Sequence, residues 1–209
     1  MEPTNNQELS RGDVLLKGAL ALGALYGAGA VSPYVRRALA ADAKGDVDVL
    51  NFLLPFEYLQ VSLYNRGNSE KNYRGERLTL KGQEKELAEL LVEQEGEHLT
   101  AMKEMLEEMG GKPVAEKDYA FAYRDYATWL ELGASLEASA IGAYNGAIPM
   151  LESEEARELA FSIVQVEGRH AAAVRIPNKE DPAPEAFDIG LPEDSAINSL
   201  LPFTGEYAE

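Results

Sequence analysis

The chain has no cysteine among its 209 residues, which excludes disulfides, thiolate catalysis, cysteine-ligated zinc and iron–sulfur clusters together. That absence leaves the compartment open, because a disulfide-free protein survives anywhere. Basic residues are scarce: 19 Lys and Arg stand against 36 Asp and Glu, a net charge of -17. Nucleic acid and anionic membrane surfaces attract basic proteins, so neither is an expected partner. Such acidity reads as a soluble, self-repelling surface or, more sharply, as carboxylates turned inward to hold cations. Low-complexity tracts are also missing. With 45% hydrophobic residues, the chain is long and apolar enough for one domain with a substantial core. Histidine is nearly absent, with two in the whole chain.

The apolar, uncharged run near the N-terminus, GALALGALYGAGAV (Gly18 to Val31), falls short of the about 20 residues that a membrane helix needs. It has the length of an export-signal core, and Ala38-Leu39-Ala40 beyond it matches a small-x-small cleavage pattern. The preceding SRGDVLLK (Ser10 to Lys17) is similar to the twin-arginine export motif S-R-R-x-F-L-K. It carries Gly12 in place of the second arginine and Val14 or Leu15 in place of the aromatic. Residues 1–40 are therefore expected to be an export signal that sends the protein to the periplasm, cell envelope or exterior. Uncleaved, the segment would be an N-terminal anchor, the chain's one contact with a membrane, or a glycine-rich arm packed on the domain.

The remainder divides into a domain over 41–178 and a proline- and acid-rich tail over 179–209 expected to pack on it. Helical periodicity marks four segments. The first runs from about Asp46 to Asn65, with Leu50, Leu53, Leu54, Val61 and Tyr64 on one stripe; Pro55 should kink it or delay its start to near Asn51. The second runs from about Leu80 to Met109, with Leu87, Leu91, His98, Met102, Met105 and Met109 on its stripe, and ends at GGKP (Gly110 to Pro113). The third covers about Asp125 to Ile148, and the fourth begins after a Ser153 N-cap followed by Glu154 and Glu155. The third and fourth join closely, as antiparallel neighbours do. Between the second and third lie about 15 residues, enough at ~3.3 Å each to run the length of a bundle. Nothing alternates as a strand should, although DYAFAY (Asp118 to Tyr123) is ambiguous.

The two histidines sit in matching heptapeptides, VEQEGEH (Val92 to His98) and VQVEGRH (Val164 to His170). Each places a glutamate, Glu95 or Glu167, one helical turn before the histidine on an otherwise apolar face. Glutamate occupies 27 of 209 positions, so finding it three before both histidines by chance is roughly a one-in-60 event, the kind of risk any motif match carries. The other two helices each carry an inward acid, Glu57 among Leu53, Leu54 and Val61, and Glu137 between Leu130 and Ile141. Each is followed at +7 and +8 by Tyr-Asn: Tyr64-Asn65 and Tyr144-Asn145. The domain thus reads as an internal duplication of two helical pairs. Four buried carboxylates cannot all ionise without balancing cations. Two divalent ions would balance four glutamates and two neutral histidines. One glutamate from each of two helices plus Glu-x-x-His from the other two is a di-metal carboxylate pattern.

With EYLQVSLYN from Glu57, EGEH from Glu95, EASAIGAYN from Glu137 and EGRH from Glu167, the chain resembles the ferritin-like superfamily, and within it the exported ferritin-like, desiccation-related proteins. The resemblance covers Asp46 to about Val174. It implies an all-α, ferritin-like four-helix bundle with one long crossover, followed by an irregular tail. It also implies a dinuclear non-haem site of two divalent ions, Fe or Mn, with Glu57, Glu95, His98, Glu137, Glu167 and His170 as ligands. Tyr64 and Tyr144 are either hydrogen-bonding partners of those ligands or core tyrosines. Gly96 and Gly168 each cost about 1 kcal/mol relative to alanine inside a helix, so their recurrence suggests that a neighbouring helix or a metal-bound ligand needs the space. Glu93, Glu97 and Arg169 should face outward, and the three methionines fill core.

Two functions compete. One is redox catalysis with O2 or H2O2, either ferrous-iron oxidation or peroxide removal by manganese, in stress protection; carboxylate and imidazole ligands suit both metals. The other is a non-catalytic role, in which the bundle sequesters metal or serves as a structural, desiccation-related envelope protein. Oxygenase chemistry on an organic substrate is a weaker third. A homo-oligomer is compatible with all of them, whereas the tail and export segment argue against a hollow storage shell.

Overall fold

The first helix, α1, begins at Asp46 and continues to Ser69. Two acids, Asp46 and Asp48, occupy its first turn, where the positive end of the helix dipole favours them. The Asp46 carboxylate also accepts the backbone N–H groups of Glu152 (2.7 Å) and Ser153 (2.8 Å), tying the start of α1 to the start of the fourth helix. Pro55 lies inside α1 and neither ends the helix nor delays its start. The computed structural model describes residues 45–69 and 78–203. The expected export segment 1–40 lies outside the described residues.

Helix α2 spans Gln83–Glu108. The N–H of Gly111 bonds to the Leu106 carbonyl (2.8 Å) and that of Gly110 to Glu107 (2.9 Å), the paired bonds by which a glycine pair closes a helix. Helix α3 spans Tyr126–Ala147 and opens with a capping box, Asp125 accepting from the Thr128 N–H while the Thr128 hydroxyl accepts from the Asp125 N–H. Helix α4 spans Glu154–Arg175, with Ser153 as its N-cap, accepting from Ala156 N at 3.2 Å. All four expected helices are present, and no residue among those described forms a strand. No helix among the described residues is long and apolar enough to cross a membrane.

α1 packs chiefly along α2 and α3 along α4, and α1 and α3 join the two pairs. The long connection between α2 and α3 runs along α1. Near its start, Asn51 binds Lys112 O and Val114 N. Farther on, Arg66 donates to Tyr119 O at 2.5 Å and lies over the Phe121 ring. Asn51 and Arg66 are 15 positions apart, about 22 Å of helix, so this segment is the long crossover. Within it Tyr119, Phe121 and Tyr123 are buried while Ala120 and Ala122 are exposed. The alternation that made DYAFAY ambiguous therefore reflects an extended strap with every second side chain in the core. Ala120 N within it bonds to Phe203 O.

The tail carries a short helix, α5 (Glu193–Leu200), and Leu191, Ala196, Leu200 and Phe203 pack on the core. Leu191 N donates to the Gly142 carbonyl at 2.8 Å, and a Cβ on Gly146 would lie 2.2 Å from Leu191 O. A backbone can come that close to α3 only where the helix has no side chain. At the other end of α3, Trp129 is fully buried, donates its indole N–H to Leu63 O at 3.2 Å and meets the Tyr64 ring edge-on. Gly67 gives the indole its place, since a Cβ there would sit 2.0 Å from Nε1.

Candidate metal centre

Each helix of the bundle contributes one buried glutamate to a single interior cluster. Glu57 (α1), Glu95 (α2), Glu137 (α3) and Glu167 (α4) are all 0% exposed, in a core otherwise lined by leucines, alanines and aromatics. The i, i+3 spacing stacks His98 over Glu95 and His170 over Glu167 on one helix face, and the two imidazoles lie side by side with centroids 5.7 Å apart. All six sequence-predicted residues are therefore brought together. Their ligand atoms form two overlapping groups, Glu57–Glu95–His98–Glu167 and Glu95–Glu137–Glu167–His170, with the atoms of each within 4.8 Å of one another. Glu95 and Glu167 belong to both groups. The duplicated Glu-x-x-His turns thus supply the shared carboxylates, and Glu57 and Glu137 are the outer ones.

The hydrogen bonds explain how the carboxylates are held. Tyr144 Oη donates to Glu57 Oε1 at 2.5 Å, and Tyr64 Oη donates to Glu137 Oε1. Each tyrosine of the repeated Tyr-Asn pair thus orients the outer glutamate of the other helical pair, while its ring fills core. His98 Nδ1 lies 2.9 Å from Glu167 Oε1, 3.3 Å from Glu95 Oε2 and 3.5 Å from Glu57 Oε2. Three carboxylates thus surround one imidazole nitrogen as ion-pair partners. His170 Nδ1 lies 2.7 Å from Glu95 Oε1, and its Nε2 lies 2.7 Å from Gln94 Oε1.

Two further residues stand at the centre, outside the repeated motifs. Gln60, 1% exposed, donates its amide to Glu137 Oε2 (2.8 Å) and Glu167 Oε2 (2.6 Å). Its position one turn beyond Glu57, echoing the Glu-x-x-His spacing, was a readable clue. Gln94 reaches His170 across the gap between α2 and α4, and only the tertiary fold could reveal that contact. The expectation that a neighbouring helix needs the space beside the two glycines is corrected. A Cβ at Gly96 or at Gly168 would meet nothing within 4 Å, so no neighbouring helix requires either. Gly168 is on the exposed face of α4, and Gly168→Ala should raise stability by about 0.5–1 kcal/mol through the lost freedom of the unfolded chain. Urea denaturation checks this, and a destabilised variant would contradict it. Glu93, Glu97 and Arg169 are exposed, as expected.

Without a cation the cluster is electrostatically frustrated. Burial, reinforced by Glu167 and Glu95, pushes Glu57 up to about 8 despite His98 beside it. Burial, with Glu95 and Glu167 adding to it, likewise raises Glu137 well above the usual carboxylate range. Burial opposes charge on His98, but the carboxylates of Glu167, Glu57 and Glu95 outweigh it and push the imidazole up to about 12. Burial would raise Glu167 too, yet His98 and Glu137 hold it low. The linkage signs follow. Stability from protonated Glu57 is complete below its ordinary 4.5 and is lost as pH rises through about 8; that from charged His98 is complete below 6.5 and is lost toward 12. Ionised Glu167 acts oppositely, its contribution being lost only as pH falls below 4.5. The melting temperature of the chelator-treated protein should therefore fall between pH 5 and 9, with Mn2+ flattening the slope. Calorimetry measures both, and a metal-free melting temperature that rises over that range would contradict the assignment.

The residues fit a metal site. The donors are carboxylate oxygen and imidazole nitrogen, which suit first-row divalent ions, and four buried carboxylates converge on two imidazoles in groups whose atoms lie within 4.8 Å of one another. Fold and site define a four-helix carboxylate–histidine bundle able to bind metal. A family model described as "Ferritin-like domain" matches residues 45–179, well over half of the chain. The chain belongs to the ferritin-like family. Two solved structures are similar in fold. One is a conserved hypothetical protein from Mycobacterium tuberculosis (15% identity, 68% of this chain and 96% of that one, TM-score 0.53). The other is a dodecameric thioferritin, a bacterioferritin-related protein from Bacteroides fragilis (18% identity, 70% and 92%, TM-score 0.53). No curated protein matches the chain.

Proposed function

We propose that this protein is a di-metal carboxylate oxidoreductase that uses two Fe or Mn ions to react with O2 or H2O2 in stress protection. The observation that carries this reading is the set of four convergent buried atoms, Glu57 Oε2, Glu95 Oε2, His98 Nδ1 and Glu167 Oε1, next to a second group with the same donor chemistry. Iron or manganese bound there would supply the redox couple for ferrous oxidation or for peroxide disproportionation. The chain's own part is to hold the ligands ready. Tyr64 and Tyr144 fix the outer carboxylates, Gln94 accepts from His170 Nε2 and so leaves Nδ1 to face the carboxylates, and the apolar core excludes bulk water. His98 remains 11% exposed, so small reactants can approach beside it. Self-association is part of the proposal, prompted by the dodecameric relative in fold. Export is also part of it, resting on the apolar segment and the Ala38-Leu39-Ala40 pattern.

Metal analysis of the purified protein, coupled to O2 and H2O2 turnover, tests the reading. About two Fe or Mn per chain with turnover of either oxidant supports it. Two ions without turnover would favour sequestration, and a fully folded protein that takes up no metal would refute the di-metal assignment.

A further inference from the structure

The internal duplication is nearly symmetric in its ligands and clearly asymmetric around them. Glu57 corresponds to Glu137, Tyr64 to Tyr144, Glu95 to Glu167 and His98 to His170. The position matching Gln60 is Ala140, and the position matching Gln94 is Val166. Both extra amides act on the same half of the cluster. Gln60 donates to Glu137 Oε2 and Glu167 Oε2, and Gln94 meets His170. In that half, Glu137 accepts a hydrogen bond at each oxygen, from Tyr64 and Gln60, and His170 Nδ1 is matched to Glu95 Oε1. In the other half, His98 Nδ1 faces Glu167 Oε1, Glu95 Oε2 and Glu57 Oε2 at 2.9, 3.3 and 3.5 Å, and the amide of Gln60 touches neither Glu57 nor Glu95.

Resting on the di-metal reading above, we infer that Gln60 makes the two positions fill in order. The Glu57–Glu95–His98–Glu167 position takes the first divalent ion, and the Gln60 amide competes with the second for Glu137 and Glu167. The physical reason lies in what each ion displaces. At each position an ion replaces contacts between one imidazole nitrogen and its carboxylates, those of His98 at the first and of His170 at the second. The second must also displace an amide that donates to two buried carboxylates, and hydrogen bonds to charged groups are the stronger kind. Gln60 Oε1 is itself buried and unpartnered, so the amide can turn about its last torsion without breaking another contact and present oxygen in place of nitrogen. Gln60 is thus a positioning residue that tunes the second site. A residue added merely for packing would not need two carboxylate partners.

Titration of the metal-free, full-length protein with Mn2+, followed by calorimetry and by electron paramagnetic resonance, tests the inference. The wild type should bind in two resolved steps, with the spectrum of an isolated Mn2+ dominant at one equivalent and a coupled pair at two. His98→Ala should lose the first step, and His170→Ala should retain it. Gln60→Leu keeps the side-chain bulk and removes the donor, so it should tighten the second step about tenfold and depopulate the one-ion species. Gln60→Glu should tighten it further. If the wild type fills both positions in a single step, or if both Gln60 variants leave the second step unchanged or weaker, the inference is overturned while the di-metal reading stands. Wild-type protein that binds no Mn2+ or Fe2+ at all would overturn both. Should a Gln60 variant fail to fold, the wild-type steps and the two histidine variants still decide the order.

Discussion

Glu167→Gln is expected to empty the metal centre of both ions, with affinity for each falling by at least about 100-fold, since losing only an outer hydrogen-bond partner of a ligand costs 10–100-fold. The expectation follows from sharing. Glu167 belongs to both ligand groups, so its loss removes an anionic oxygen from each position, whereas Glu137→Gln touches one group and should leave the first position able to bind. The same substitution should destabilise the metal-free protein. Glu57 and Glu137 are pushed toward the neutral form while Glu167 is held ionised by His98, 2.9 Å away, so the charge removed is the nearest partner of a buried imidazolium. Elemental analysis and thermal unfolding of metal-free and Mn2+-loaded protein measure the two effects separately. A Glu167→Gln protein that keeps two ions per chain would show that Glu167 is no ligand. A metal-free variant as stable as the wild type would show that His98 does not depend on Glu167.

The second large effect concerns the scaffold. Trp129→Ala should destabilise the protein by about 3–5 kcal/mol, the range for truncating a buried aromatic, and lower the melting temperature by roughly 10 °C at about 2–4 °C per kcal/mol for a chain of this size. The indole is wholly buried, stacks on Tyr126 and meets Tyr64 edge-on. Its N–H is the partner of Leu63 O. Because Tyr64 holds Glu137, the damage should also reach the centre, and the second Mn2+ step should weaken more than the first. Denaturant unfolding and Mn2+ titration measure the two consequences. A loss under about 1 kcal/mol would mean that the cavity collapses freely around Gly67.

The fold was legible because each helix announces itself locally. Ser153 caps α4, Asp125 and Thr128 close a reciprocal box, GGKP stops α2, and apolar residues recur with helical period. Pro55 misled on the start of α1, since tertiary packing along α2 and α3 outweighs one missing backbone donor. The tail's short helix had no clear stripe in its few residues. Only contact with α3 shows which of its side chains face the core.

The sequence by itself determined which carboxylates and histidines turn inward, because a polar residue on an apolar helical face can be recognised from periodicity and the duplication repeats it. Only the tertiary structure decided which carboxylates belong to both groups. Sharing depends on the relative rotation and height of four helices, and no spacing within one helix encodes that. The same holds for the glutamines. Gln60 and Gln94 become part of the centre through distances to residues between 76 and 107 positions away. The asymmetry they impose on a symmetric repeat arises where the four helices meet.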